Sequence, residues 1–246
     1  MHDFSITGMV GERRTLRQKI MYWMTSRADG IITLSEQEAG RLKEMFPHLA
    51  SRIEYITFGA DPSFFKPLEG SRERQVFAAG LDPDRDWGTL MKACSDLDVQ
   101  LLFATRRSRL ERFQPLPSFV TQRQFTVRDL AITYARSQIA VLPLDTRSGL
   151  NDAMGCSTLF EMMMSGCAIV ATDTHTIRSY ITHDENGLLV PERDPESLRA
   201  VIERLLNDEA LRERLGNNAR AYATERLDAE KLAKKLAGYF KKLMHE

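Results

Sequence analysis

The residues best suited to chemistry cluster around one segment, Gly155-Cys156-Ser157-Thr158-Leu159-Phe160-Glu161-Met162-Met163-Met164-Ser165-Gly166, followed by the apolar run Ala168 to Ala171. It reads as a loop, a short helix, a glycine stop and a buried strand. Thr158 followed by Glu161 predicts a capping box, and Gly166 the left-handed residue that ends the helix. A helix N-terminus beside a sheet edge offers free N–H groups to an anion. Arginines accompany it at Arg85, Arg106 and Arg107, and a fixed guanidinium matches phosphate oxygens in charge and geometry. The chemistry within reach is therefore recognition of a phosphorylated ligand. The alternatives are local: the arginines could pair with Asp82, Asp84 or Asp86, and Glu161 could serve as a cap alone. Cys156 precedes the helix start, where a thiolate would be favoured, but no histidine lies near it in sequence to form a catalytic pair.

Those residues need a scaffold, and the chain between residues 75 and 172 supplies one in a strand, helix, strand, helix rhythm. Strands are predicted at Gln75 to Ala79, Val99 to Ala104, Phe119 to Thr121 and Ile139 to Leu142, with helices from Thr89 and over Val127 to Arg136. Such alternation predicts an α/β fold with a doubly wound parallel sheet, whose ligands bind outside the carboxyl ends of the strands. The loops after residues 79, 104, 142 and 172 should then converge, and the first three carry arginine. Asp184-Glu185-Asn186-Gly187 turns into a further strand. Asp194-Pro195-Glu196 opens a helix with proline in its first turn, and two more helices follow.

Upstream, Asp29 to Leu34 and Ile53 to Phe58 read as short strands around a helix over Glu36 to Phe46, capped by Ser35. Lys66 to Arg74, with Pro67 and Gly70, reads as a boundary. The expected domains are residues 1–66, 67–226 and a C-terminal helix at 227–246. From Met9 to Ala28, Leu16, Ile20, Trp23 and Met24 repeat at helical spacing, and five basic residues face one acid between Met9 and Arg27. A basic amphipathic helix suits an anionic membrane surface, although a solvated helix face accounts for it as well.

Composition narrows the classes. Lys plus Arg equals Asp plus Glu at 34 each, so the whole chain makes no electrostatic case for nucleic acid. The three cysteines form no CxxC pair and no metal-ligand spacing, which fits a reducing compartment and a cytoplasmic protein. No apolar run approaches the roughly 20 residues of a membrane span.

The segment S-T-L-F-E-M-M-M-S-G-C-A-I-V-A-T resembles the E-A-M-A-x-G-x-P-V-I-A-T segment of GT-B glycosyltransferases, in particular the retaining family 4 group. Asp184 to Val190 resembles that family's D-G-x-N-G-L-L-V, and residues 28–67 resemble its A-D-x-I-I-x-x-S-E and G-V-D-x-x-x-F-x-P segments. The resemblance implies a GT-B fold, with a complete C-terminal nucleotide-sugar-binding domain and the last part of an N-terminal Rossmann-like acceptor domain. It implies a retaining glycosyltransferase using a UDP- or GDP-sugar donor, with no metal and no organic cofactor. The acceptor would be a sugar or lipid, and membrane contact would be peripheral on the cytoplasmic face. A partner subunit could supply the remainder of the N-terminal domain. His2 matches the histidine beside the transferred sugar, so it is the catalytic candidate; the alternative is a lone histidine near a terminus. Arg85, Arg106, Arg107, Asp152, Gly155, Cys156, Ser157, Thr158 and Glu161 are the donor-binding candidates, with Glu161 on the ribose hydroxyls.

Three positions depart from the family pattern. Leu81 and Asp86 stand where it has the phosphate-binding arginine and lysine, and Ala153 where it has a second glutamate, so Asp152 is the nearest substitute. The rival reading is a non-catalytic module that kept the sheet, binds a nucleotide or a partner protein, and lost the chemistry.

Overall fold

The computed structural model describes residues 16–34, 36–148 and 154–245. Within these, contacts divide the chain into two compact units. One holds residues 16–58 and 230–245, and the other residues 59–148 and 155–229. The division therefore falls at 58/59 rather than 66/67, and most of the C-terminal helix groups with the first unit.

In the first unit, α1 (Leu16–Thr25) precedes β1 (Ile31–Thr33), α2 (Glu36–Met45) and β2 (Ile53–Tyr55). The two strands pair in parallel. Ala39, Leu42, Phe46, Leu49 and Ile53 form a small buried core, which Tyr22 joins with its ring centroid 4.7 Å from that of Phe46. The repeating apolar residues of α1, Leu16, Ile20, Trp23 and Met24, are all exposed. The expected cap Ser35 lies outside the described residues. In α8 (Ala229–His245), the Tyr239 hydroxyl donates to the Arg52 carbonyl at 2.6 Å.

The second unit contains β3 (Glu73–Ala79), α3 (Trp87–Cys94), β4 (Gln100–Ala104), β5 (Val120–Arg123), α4 (Val127–Arg136), β6 (Ser137–Leu142), α5 (Cys156–Met164), β7 (Ala168–Thr172), β8 (Leu188–Val190), α6 (Pro195–Asn207) and α7 (Glu209–Arg226). The strands form one six-stranded sheet in the order β5-β4-β3-β6-β7-β8, and every pairing is parallel. The strand order reverses between β3 and β6, which is where a doubly wound sheet opens a crevice for a ligand. Both faces are covered, which is why β7 reads as an unbroken apolar run with all five residues buried. One face sends Val76, Leu101, Val141 and Val170 against Leu90 of α3 and Ile202 of α6. On β3, Phe77 packs against Tyr134 of α4 with ring centroids 4.8 Å apart.

Local starts differ from expectation where a side chain found a better partner. α3 begins at Trp87, two residues before Thr89, because the Asp86 carboxylate accepts the Thr89 N–H at 3.0 Å. After β7 the chain makes a single 3-10 turn at Ile177–Ser179. Cys94, Cys156 and Cys167 are buried free thiols.

Helix α7 approaches the start of β7 through Gly216, where a Cβ would lie 2.3 Å from the Gly166 carbonyl oxygen. Both groups are backbone, so neither can swing aside. Gly216→Ala is expected to destabilise the protein by about 2 kcal/mol in urea unfolding, an overpacking cost. Gly238→Ala, in α8 with nothing near its added methyl, is expected to stabilise by up to about 1 kcal/mol through helix propensity.

Candidate functional site

The carboxyl end of β3 runs into Gly80, and the loop that follows folds back to bury Arg85, which is 2% exposed. Its backbone bridges to Leu144 in the loop after β6, and the Asp86 N–H donates to the Pro143 carbonyl at 3.0 Å. The guanidinium is held on three sides. Nε donates to the Ala79 carbonyl at 3.1 Å, Nη2 donates to Thr158 Oγ1 at 3.1 Å, and Nη2 lies 3.3 Å from an Asp82 carboxylate oxygen. Nη1 has no hydrogen-bond partner among the described residues. Burial lowers the pKa of this guanidinium, and Asp82 opposes the shift. Gly80 is required here because a Cβ would sit 2.2 Å from Arg85 Nε.

The segment 155–166 folds as a loop, helix and glycine stop, but the helix starts earlier than its capping-box pattern predicts. α5 begins at Cys156, and its N-cap is Gly155 with φ 83°, a left-handed conformation that favours glycine. A Cβ there would also lie 3.1 Å from Arg85 Nη1. No side chain caps the helix. Thr158 is thus the third helical residue and spends its hydroxyl on Arg85, so the Thr158–Glu161 box does not form. Glu161 lies one turn further along, half-buried. Burial raises its carboxyl to about 7, with Arg85 pulling in the opposite direction. Beneath this group Tyr134 is fully buried, and its hydroxyl has no partner among the described residues.

These groups meet in a cleft of about 510 Å³ at the carboxyl ends of β3 and β4. Arg85, Arg106, Gly155, Ser157, Thr158 and Glu161 all line it. Ala79, Gly80, Leu81, Thr105 and Phe125 complete much of the wall. The loops are tied to each other: Thr105 Oγ1 donates to the Gly80 carbonyl at 2.6 Å, and Gln122 donates to the Thr105 carbonyl at 2.6 Å. Leu81, which stands at the family's arginine position, is exposed at the rim, and Arg109 donates to its carbonyl at 2.9 Å.

Two candidates fall elsewhere. Arg107 is exposed in a 3-10 turn, Arg107–Arg109, and does not line the cleft. Cys156 is buried, with its thiol pushed up to about 12 by burial, so it packs rather than meeting a ligand. His2 and Asp152, with Ala153, lie outside the described residues. The sequence reading overlooked Gly80, Thr105 and Phe125. Gly80 carried a signal, since a glycine directly after a buried strand marks close backbone approach; Phe125 carried none. Among the described residues no group of three or more His, Cys, Asp or Glu side chains is placed to hold a metal ion, and no helix is long and apolar enough to cross a membrane.

Comparison with known proteins agrees with this architecture. Residues 119–222 match the model of glycosyl transferases group 1. The chain is 26% identical over 229 residues to the MMP alpha-(1->4)-mannosyltransferase of Mycolicibacterium hassiacum, a match covering 86% of this chain and 54% of that one. The chain spans about half the length of the curated relatives it matches. Among solved structures it superimposes on sucrose-phosphate synthase from Thermosynechococcus elongatus with a TM-score of 0.78 at 21% identity, covering 98% of this chain and 65% of that one. Anabaena HepE in complex with UDP and glucose gives a TM-score of 0.75 at 17% identity, covering 98% and 70%. Family model, named relatives and fold agree: residues 119–222 are similar to the glycosyl transferases group 1 family, and the chain has the GT-B fold.

Proposed function

We propose that the cleft between β3, β4 and α5 binds a nucleotide-diphosphate sugar and that the chain takes part in transferring its sugar, with retention, to a sugar or lipid hydroxyl. The observation that carries this reading is the convergence of Arg85, Arg106, the uncapped N-terminus of α5 and Glu161 in one cleft at the strand-order reversal. The name of the M. hassiacum relative supports a hexosyl group as the cargo, and HepE, which binds UDP, supports the donor class.

In this reading the diphosphate lies against the first turn of α5. Free N–H groups at a helix start and a guanidinium fixed before the reaction stabilise the charge that develops on the leaving phosphate. As the anomeric carbon's bond to the phosphate oxygen breaks, the acceptor oxygen bonds to that carbon on the same face and passes its proton to the departing diphosphate oxygen. The sugar passes through oxocarbenium character, so the fixed charges on the leaving group carry much of the acceleration. Glu161 as a carboxylate accepts from the ribose hydroxyls. His2, a sugar or lipid acceptor and a partner subunit that supplies the rest of the acceptor domain belong to the same proposal. The second reading, a nucleotide-binding module without turnover, draws on Leu81 and Asp86. The rim lacks a cation at Leu81, and Asp86 caps α3 instead of presenting one.

Titration calorimetry with UDP, GDP and their glucose and mannose derivatives tests the site. One base is expected to bind at least tenfold more tightly than the other. No binding of any of them would remove the donor assignment, and binding without transfer to any acceptor would favour the module.

Glu161 gives a second test because its folded carboxyl is raised to about 7 while the unfolded value lies near 4.3. UDP-glucose does not itself titrate between pH 6 and 8, so its affinity is expected to rise severalfold over that range as Glu161 ionises. Glu161→Gln should bind more weakly at pH 8 and flatten the profile. Stability should move the other way. The wild-type protein loses stability as pH rises from about 4 through 7, where the unfolded chain releases a proton that the folded one retains. Glu161→Gln should therefore melt at a higher temperature than wild type at pH 8 and not at pH 4. Equal melting at pH 8 would contradict the buried carboxyl.

A further inference from the structure

On the side of the β3–α3 loop away from Glu161 lies a second cleft, of about 710 Å³, which shares only Arg85 with the first. We propose that it is a second anion-binding site, for a phosphorylated small molecule. Four cations reach it from four separate places: Lys92 from α3, Arg112 from the 3-10 turn after β4, Arg147 from the loop after β6 and Arg193 from the turn before α6. Successive members are 20, 35 and 46 residues apart in sequence, so the fold, not a local charge run, brings them together.

The neighbouring carboxylates do not neutralise the group. Asp145 is taken by Arg147, and its pKa is lowered first by that bond and in smaller part by Arg193. Asp86 gives one carboxylate oxygen to the start of α3. Asp84 also lines the cleft and is the remaining acid. Lys92, Arg112 and Arg193 are exposed, and none of them has a carboxylate within ion-pair distance among the described residues. Three unpaired cations around one concave space raise the local potential and favour an anion.

The cleft also has built walls. Arg112 stacks on the Phe113 ring at 4.6 Å, and Phe113 packs so closely on α3 that a Cβ at Gly88 would lie 3.2 Å from it. Arg193 adopts φ 54°, a left-handed conformation rare for arginine. Its neighbour Glu192 accepts from Thr146 and so straps the Arg193 turn to the loop carrying Arg147. A flat apolar ring beside several cations suits a phosphate attached to an organic body better than a bare ion. This site is argued separately from the donor reading, since Lys92, Arg112, Arg147 and Arg193 line no part of the donor cleft and only Arg85 is shared.

The test is calorimetric titration of the full chain with inorganic phosphate and with glucose 6-phosphate. The triple variant Lys92→Gln, Arg112→Gln, Arg193→Gln changes exposed positions only. Wild type is expected to bind glucose 6-phosphate at least tenfold more tightly than the triple variant, with affinity falling as salt rises. Arg106→Gln, at the rim of the other cleft, should leave that affinity unchanged. Tighter binding of glucose 6-phosphate than of phosphate assigns the organic body to the Phe113 wall, and equal binding assigns recognition to the phosphate group alone. No binding of either probe, equal binding by wild type and triple variant, or loss of binding in Arg106→Gln would overturn the proposal. Should the triple variant melt early, Arg193→Gln alone, with at least a threefold loss expected, decides the matter.

Discussion

The second unit depends on a guanidinium that is almost wholly out of water. Arg85 joins the end of β3, its own loop and the first turn of α5 through Ala79, Asp82 and Thr158. Burying such a charge without partners would cost several kcal/mol, so the three contacts are a condition of the fold as well as of the site. The glycines around it follow from the same constraint: Gly80 and Gly155 are the positions where a side chain would press on the guanidinium. Helix α5 is left without a side-chain cap because its N-cap residue is Gly155, which has no side chain. An uncapped helix start facing a cleft keeps its amides available to a ligand. The feature that looks like a local defect is thus what equips the cleft.

The opposite end of the sheet uses the same device. Arg72, just before β3, donates to the carbonyls of Tyr134, Ser137, Ser165 and Gly166, which gathers the ends of α4 and α5 beside the start of β3. Arg220 of α7 donates to the Met164 and Phe65 carbonyls. Orphan carbonyls at helix C-termini would otherwise be buried unpaired. Rigid packing at the amino ends leaves the carboxyl ends, where the loops are longer, to vary in function.

Much of this organisation was legible in residues. The buried run Ala168 to Ala171, the Asp194-Pro195 helix start and the Val127–Arg136 helix follow from pattern and capping chemistry, and their alternation is sufficient to predict a doubly wound sheet. The convergence of Arg85 and Arg106 was foreseeable from the rule that places ligands beyond strand ends. The register of α5 was not. Thr158 and Glu161 fit a capping box as strings, and only the long-range contact with Arg85, 73 residues away in sequence, shows why the helix starts at Cys156. Arg107 illustrates a second limit: it is adjacent to Arg106, yet a turn at Arg107–Arg109 points it elsewhere. Burial of Arg85 was also out of reach, because an isolated arginine among three aspartates reads as a surface ion pair.

In the proposed donor site Arg85 is the fixed charge for a diphosphate, which the ratio of UDP to uridine affinity measures directly, since the two ligands differ only in the phosphates. Arg85→Lys keeps the charge but cannot make the same three contacts. Wild type should prefer UDP over uridine by a large factor, and the lysine variant should lose at least tenfold of that preference while binding uridine nearly as before. An unchanged UDP-to-uridine ratio in the folded variant would contradict the claim.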